Sequence, residues 1–127
     1  MSKAIYDQIH IKLAERFNTT VHVIAYVRMC NYRLHISRAE MAERQNKKMH
    51  FLGKDLEIIL NKIQNVPNLI AKFPQNREKW EKKSVGYKAQ IPMHKKGIDR
   101  RLAIRAFLER ITDEDFAEIV KPLNEKT

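Results

Sequence analysis

The sequence predicts an all-α fold, and three observations carry that expectation. Three glycines and four prolines punctuate 127 residues, too few turn-formers for an all-β chain. Apolar residues recur at three- and four-residue steps along most of the chain, the period of a helix with one buried face. Lys, Arg, Glu, Leu, Ile and Ala dominate the composition, a mixture rich in helix formers. The expected architecture is a single compact helical domain. An N-terminal helix pair occupies 1–36, a long central helix 37–66, and a basic C-terminal part 67–127 holds two helices and one short extended segment.

Taken in order, Ser2 can cap a first helix whose apolar residues Ile5, Ile9, Leu13 and Phe17 fall four apart. Asn18-Thr19 stops it. Thr20 can cap a second helix from Val21 to Tyr32, apolar nearly all round and therefore expected to be buried. Ser37-Arg38-Ala39-Glu40 has the form of a capping box. The third helix starts there and is expected to reach Asn65, with Pro67 ending it. Ala42, Met49, Leu52, Leu56, Ile59, Ile63 and Val66 keep a heptad seam along it, with Gln45 in the remaining slot. The seam fits packing on other helices of the same chain, or pairing of two chains through residues 42–66.

Beyond Pro67 the pattern shortens. A short helix over NLIAKF, a turn at Pro74-Gln75-Asn76 and one or two helical turns over Arg77 to Lys83 are expected. Residues 84–93 read SVGYKAQIPM, in which Val85, Tyr87, Ala89 and Ile91 alternate with Ser84, Gly86, Lys88 and Gln90. That period of two is the mark of a strand or extended arm; as a lone strand has no partner in the chain, a loop or one arm of a small hairpin is an equal expectation. Gly97 precedes a further helix over 98–111, and Thr112-Asp113-Glu114-Asp115 forms a second capping box with three acids on the helix N-terminus. Phe116, Ile119 and Val120 face inward there, and Pro122 closes the last helix.

The single cysteine, Cys30, excludes an intramolecular disulfide and a Cys-based zinc site, and reads as a core thiol. No apolar run reaches the length of a membrane span. The N-terminal MSKAIYDQIHIK is too often polar for a signal peptide, which makes the cytoplasm the expected compartment.

Charge narrows the class of partner. The chain carries a net +10, a field that attracts polyanions. It is uneven. Residues 84–111 hold seven basic against two acidic residues, and residues 112–127 hold two against five. Lys82, Lys83, Lys88, Lys95, Lys96, Arg100, Arg101, Arg105 and Arg110 are offset by Asp99 and Glu109 alone. Lys95-Lys96-Gly97 at an expected helix start would add free backbone N–H groups to attract phosphate. Arg101 and Arg105, one turn apart, would share a ridge, with Trp80, Tyr87 or His94 near enough to stack on a base. A local Arg105–Glu109 pair is the structural alternative.

Residues 13–29, LAERFNTTVHVIAYVRM, add a motif. Leu13, Ala14 and Phe17 stand in the first helix, Asn18 at the turn, and Ile24 and Val27 three apart in the second. Ala14 permits close helix crossing, and Asn18 tolerates the left-handed turn that Gly usually takes. This spacing resembles the helix-turn-helix of phage and bacterial DNA-binding regulators. The resemblance implies a second helix facing DNA with Val21, His22, Ala25, Tyr26, Arg28 and Met29, of which His22, Tyr26 and Arg28 could bond base edges.

Catalytic patterns are weak. His10, His22, His35, His50 and His94 include no metalloprotease pair, and no P-loop or serine nucleophile motif occurs. Glu40, Glu43 and Asp113 to Asp115 could hold a nuclease metal, but they stand at helix starts where capping accounts for them. The expectation is a non-enzymatic nucleic-acid-binding protein without cofactor or metal. The favoured form is a small regulator of the phage or plasmid kind on duplex DNA. One alternative is a basic interaction protein that modulates a larger host complex through an acidic surface. The other is an RNA- or single-strand-binding protein using Trp80 and Tyr87.

Overall fold

The computed structural model describes residues 2–122, with side chains from residue 8 onward, so the Ser2 cap and the Ile5 contact lie outside the described side chains. Five α-helices and no strand occur among the described residues: α1 (Ser2–Arg16), α2 (Val21–Leu34), α3 (Arg38–Lys72), α4 (Arg77–Arg110) and α5 (Asp113–Ile119). A 3-10 turn, Pro74–Asn76, joins α3 to α4. The all-α expectation holds, including the long central helix and the two C-terminal helices.

Two compact units can be distinguished within the chain. Residues 1–45 and 103–127 form one, and residues 46–102 form the other. Helices α3 and α4 each contribute a segment to both.

The first unit holds the main core. Ala14, Phe17, Val23, Ile24, Val27, Ile36, Met41, Ala42, Ile104, Phe107, Leu108, Ile111, Phe116 and Ile119 form one buried cluster, with Leu13, Val21, Tyr26, Cys30 and Val120 packed against it. Full burial of each such aliphatic side chain contributes roughly 1.5–3 kcal/mol. Helix ends follow the sequence closely. Asn18 adopts φ 54°, and beside it Thr19 N donates to Ala14 O at 2.9 Å and Asn18 N to Glu15 O at 3.3 Å. That is a Schellman stop with Asn in the glycine position. Thr20 Oγ1 accepts from Val23 N at 3.2 Å. Ser37 Oγ accepts from Glu40 N at 3.2 Å. Both halves of the Thr112 capping box form, with Asp115 N donating to Thr112 Oγ1 and Thr112 N to Asp115 Oδ2.

Three arginines tie helix C-termini across this unit. Arg28 donates to Ile119 O at 2.6 Å and Lys121 O at 3.0 Å, at the end of α5. Arg110 donates to Phe17 O at 2.7 Å and Asn18 O at 3.1 Å, at the end of α1. Arg38 donates to Leu108 O at 2.8 Å near the end of α4, and to Asp113 at 2.8 Å. Unpaired carbonyls and the negative end of the helix dipole both favour a cation there. Gln45, with no exposed surface, donates to Tyr26 Oη at 2.9 Å and to Met41 O at 3.2 Å, so its burial is compensated.

The second unit is an antiparallel helical hairpin, 46–72 against 77–102, and here the structure corrects three expectations. Helix α3 runs through Pro67 to Lys72, so the separate short helix after Pro67 does not exist. Segment 84–93 is helical, inside the continuous α4, and Pro92 lies within the helix. Gly97 also lies inside α4 rather than before a helix. A proline within a helix costs about 3 kcal/mol. Burial along the hairpin offsets it: Leu69 and Ile70 lie beyond Pro67, and His94 and Ile98 beyond Pro92, all half-buried.

The heptad seam of α3 is met within the same hairpin. Ile59 and Val66 are buried, and Met49, Leu52, Leu56 and Ile63 are half-buried. On α4 the half-buried residues of the hairpin include Trp80, Ser84, Tyr87, Ile91, His94 and Ile98, spaced four, three, four, three, four, with Gly97 and Arg101 beside them. That is the same heptad phase. Gly97 permits a close approach: a methyl group built there would stand 3.3 Å from Leu52 Cδ1. Of the two expectations for residues 42–66, packing within the same chain describes the seam, whose face is covered by α4 rather than left for a second chain, and its first residue, Ala42, belongs to the core of the other unit.

Candidate nucleic-acid interface

Charge follows the division of the fold. Residues 46–102 carry fourteen Lys and Arg against five Asp and Glu, a net +9. The remaining residues carry eleven against ten, a net +1. Nearly all of the excess positive charge sits on the hairpin.

Of the residues singled out in the sequence, Lys82, Lys83, Lys88, Lys95, Lys96, Arg100 and Arg101 lie in the hairpin, on α4. All are exposed except Arg101, which is half-buried. Lys82 to Arg101 covers about 28 Å of helix at 1.5 Å per residue. At 100° per residue these side chains do not share one ridge. Lys82, Lys96 and Arg100 project from the side opposite the seam. Lys83 and Arg101 border the seam on one flank, Lys88 and Lys95 on the other. Positive charge therefore wraps three sides of α4.

Some of these cations have local partners. Lys82 Nζ lies 3.7 Å from Glu78. Lys83 sits 5.1 Å and Lys79 5.7 Å from the centre of the Trp80 ring, so two cations already cover the aromatic proposed for base stacking. Tyr87 is half-buried with Lys62 over its ring at 5.6 Å. His94 Nδ1 is 2.9 Å from Gln90 O within the helix. Trp80 and Tyr87 thus already carry cations over their rings, where a stacking aromatic of a single-strand-binding protein presents its face to a base. Lys88, Lys95, Lys96 and Arg100, by contrast, have no carboxylate within ion-pairing distance among the described residues.

Because Gly97 lies inside α4, Lys95-Lys96-Gly97 offers no free helix N-terminus, and its backbone N–H groups are engaged in the helix. The expected phosphate cradle is absent; the two lysines act as point charges alone. Arg105 belongs to the other unit, half-buried and 3.7 Å from Glu109.

His22, Tyr26 and Arg28 also belong to the core unit, on α2. His22 is exposed. Tyr26 packs against the core and accepts the Gln45 hydrogen bond. Arg28 is half-buried at the end of α5. Two of the three expected base readers thus hold the fold together.

Sequence reasoning passed over seven cations of the hairpin: Lys47, Lys48, Lys54, Lys62, Lys72, Arg77 and Lys79. Charge counted along the chain separates them from the α4 block. The hairpin folds them beside it, and the matching heptad phase of Trp80 to Ile98 was the signal that would have paired the two segments.

Compared with known protein families, with curated proteins and with solved structures, the chain matches none. No helix among the described residues is long and apolar enough to cross a membrane.

Proposed function

We propose that this protein binds nucleic acid without catalysis, and that the hairpin 46–102 supplies the phosphate contacts. The observation that carries the reading is the segregation of charge: net +9 on the hairpin against +1 on the rest. A long, narrow helical rod with exposed cations on three sides matches the repeating charge of a nucleic-acid backbone, and releases its counterions on binding. The core unit uses its arginines differently, with Arg28, Arg38 and Arg110 committed to helix C-termini.

A regulator of duplex DNA is the finer form of this proposal. Base reading by α2, as the helix-turn-helix spacing implies, would have to rest on His22 and on exposed Tyr32 and Arg33, since Tyr26 and Arg28 are engaged within the core unit. The hairpin is therefore the better supported contact surface. Titration of duplex DNA, single-stranded DNA and RNA across a range of salt tests the proposal. Affinity should fall steeply with salt, with a log–log slope near −0.9 for each phosphate neutralised on duplex. Absence of binding to all three at low salt would refute it.

A further inference from the structure

Helix α3 carries a second strip with the same spacing as its buried seam. The seam residues Leu52, Leu56, Ile59, Ile63, Val66 and Ile70 step by four, three, four, three, four. Lys54, Ile58, Asn61, Asn65, Asn68 and Lys72 repeat those steps two residues later. At 100° per residue an offset of two places the second strip on the reverse side of the helix. Burial agrees, since all six residues of this strip are exposed.

Its composition is unusual for a merely solvated helix face. Three asparagines stand in a helix interior, where Asn is among the less favourable residues because its amide competes for backbone bonds. Glu, Gln, Lys or Arg would solvate the face and favour the helix more. None of the three amides has a partner within the chain among the described residues. Cations stand at both ends, Lys54 and Lys72, and no carboxylate occurs between Glu57 and Glu78. The strip thus reads cation, apolar, amide, amide, amide, cation.

We infer that this outer face of α3 is a base-reading surface that enters the major groove of duplex DNA. The inference rests on the phosphate-binding role proposed for the hairpin, and the cations of α3 on and beside this strip, Lys47, Lys54, Lys62 and Lys72, supply the charge complementarity. The chemistry of the strip fits one groove. Asn pairs in bidentate fashion with adenine N6 and N7, and an aliphatic side chain such as Ile58 meets the thymine methyl group. Lys54 and Lys72 reach flanking phosphates, which set register without reading sequence. From Asn61 to Asn68 the helix rises about 10 Å, the height of about three base pairs. The major groove of B-form DNA admits an α-helix, whereas the deep, narrow major groove of an RNA duplex does not.

Selection from a library of random duplex DNA with the full-length protein tests this. The wild type should enrich a short A·T-containing motif. The Asn61→Ala/Asn65→Ala/Asn68→Ala variant retains a good helix former at each position. It should lose the enrichment, bind the selected duplex about a hundredfold more weakly, and keep its affinity for unselected duplex. Lys54→Gln/Lys72→Gln should weaken binding to every sequence alike and reduce the salt slope by about two. Circular dichroism of each variant checks that helix content is retained. If the wild type binds duplex but enriches nothing, or the triple-alanine variant keeps the motif, the reading surface is refuted while phosphate binding by the hairpin stands. If RNA or single strands bind and duplex does not, the reading surface is likewise refuted. If no nucleic acid binds at low salt, both fail.

Discussion

The two units of this chain use the same residue types for opposite ends. In the core unit, arginine is structural. Arg28, Arg38 and Arg110 each close a helix terminus more than sixty residues away in sequence, and acids nearly balance bases. In the hairpin, cations are left facing solvent, and two side chains, Ile59 and Val66, are buried. The contrast teaches that net charge alone says little. What matters is which cations the fold has already engaged.

The comparison can be broken at its strongest point, the location of stability. Leu108→Ala should cost about 3 kcal/mol or more, because Leu108 has no exposed surface and its cavity is walled by several helices. Ile59→Ala should cost about 2 kcal/mol or less, as two helices alone surround it. Urea denaturation of both variants ranks them. A larger loss from Ile59→Ala would place the stabilising core in the hairpin.

Function should divide the other way. Replacing Lys88, Lys95, Lys96 and Arg100 together by Gln should weaken nucleic-acid binding about a hundredfold and flatten the salt slope by three to four, at roughly 0.9 per contact. The melting temperature should barely move, since such surface changes are each within about 0.5 kcal/mol. Arg110→Ala should show the reverse: about 1.5 kcal/mol or more of lost stability, from bonds between a charged group and two carbonyls, with the salt slope unchanged. A salt slope that falls for Arg110→Ala and not for the quadruple variant would invert the assignment. The smallest expected effect is Thr112→Ala, about 1 kcal/mol from loss of a cap hydrogen bond, read as reduced thermal stability with unaltered binding.

How much of this was legible in the sequence depended on range. Local chemistry was read well. Asn18 at a left-handed turn, Thr20 and Thr112 as caps, and Ala14, Ile24 and Val27 as core positions all follow from one or two neighbouring residues. Segment 84–93 shows where such reading fails. Val85, Tyr87, Ala89 and Ile91 alternate, yet Val85 and Ala89 are exposed while Tyr87 and Ile91, four apart, are half-buried. The alternation alone carried the extended reading, and glycine and proline in the segment are weak helix formers. The partner helix α3 overrode them, because a heptad face that can be buried outweighs two weak helix formers. The same limit applies to two of the expected site residues. Arg28 and Tyr26 sit where a reading helix would present them, but carbonyls at the end of α5 and the buried Gln45 amide claim them. Both partners are distant in sequence, so nothing local announces them.

The arginine clamps also dictate an order of events. Each joins the first third of the chain to residues 108–121. The core unit therefore cannot close until nearly all of these residues have left the ribosome, because its contacts span most of the chain. The hairpin needs only its own local contacts and can form while synthesis continues, as low contact order permits. During translation the basic hairpin can therefore form before the core unit closes.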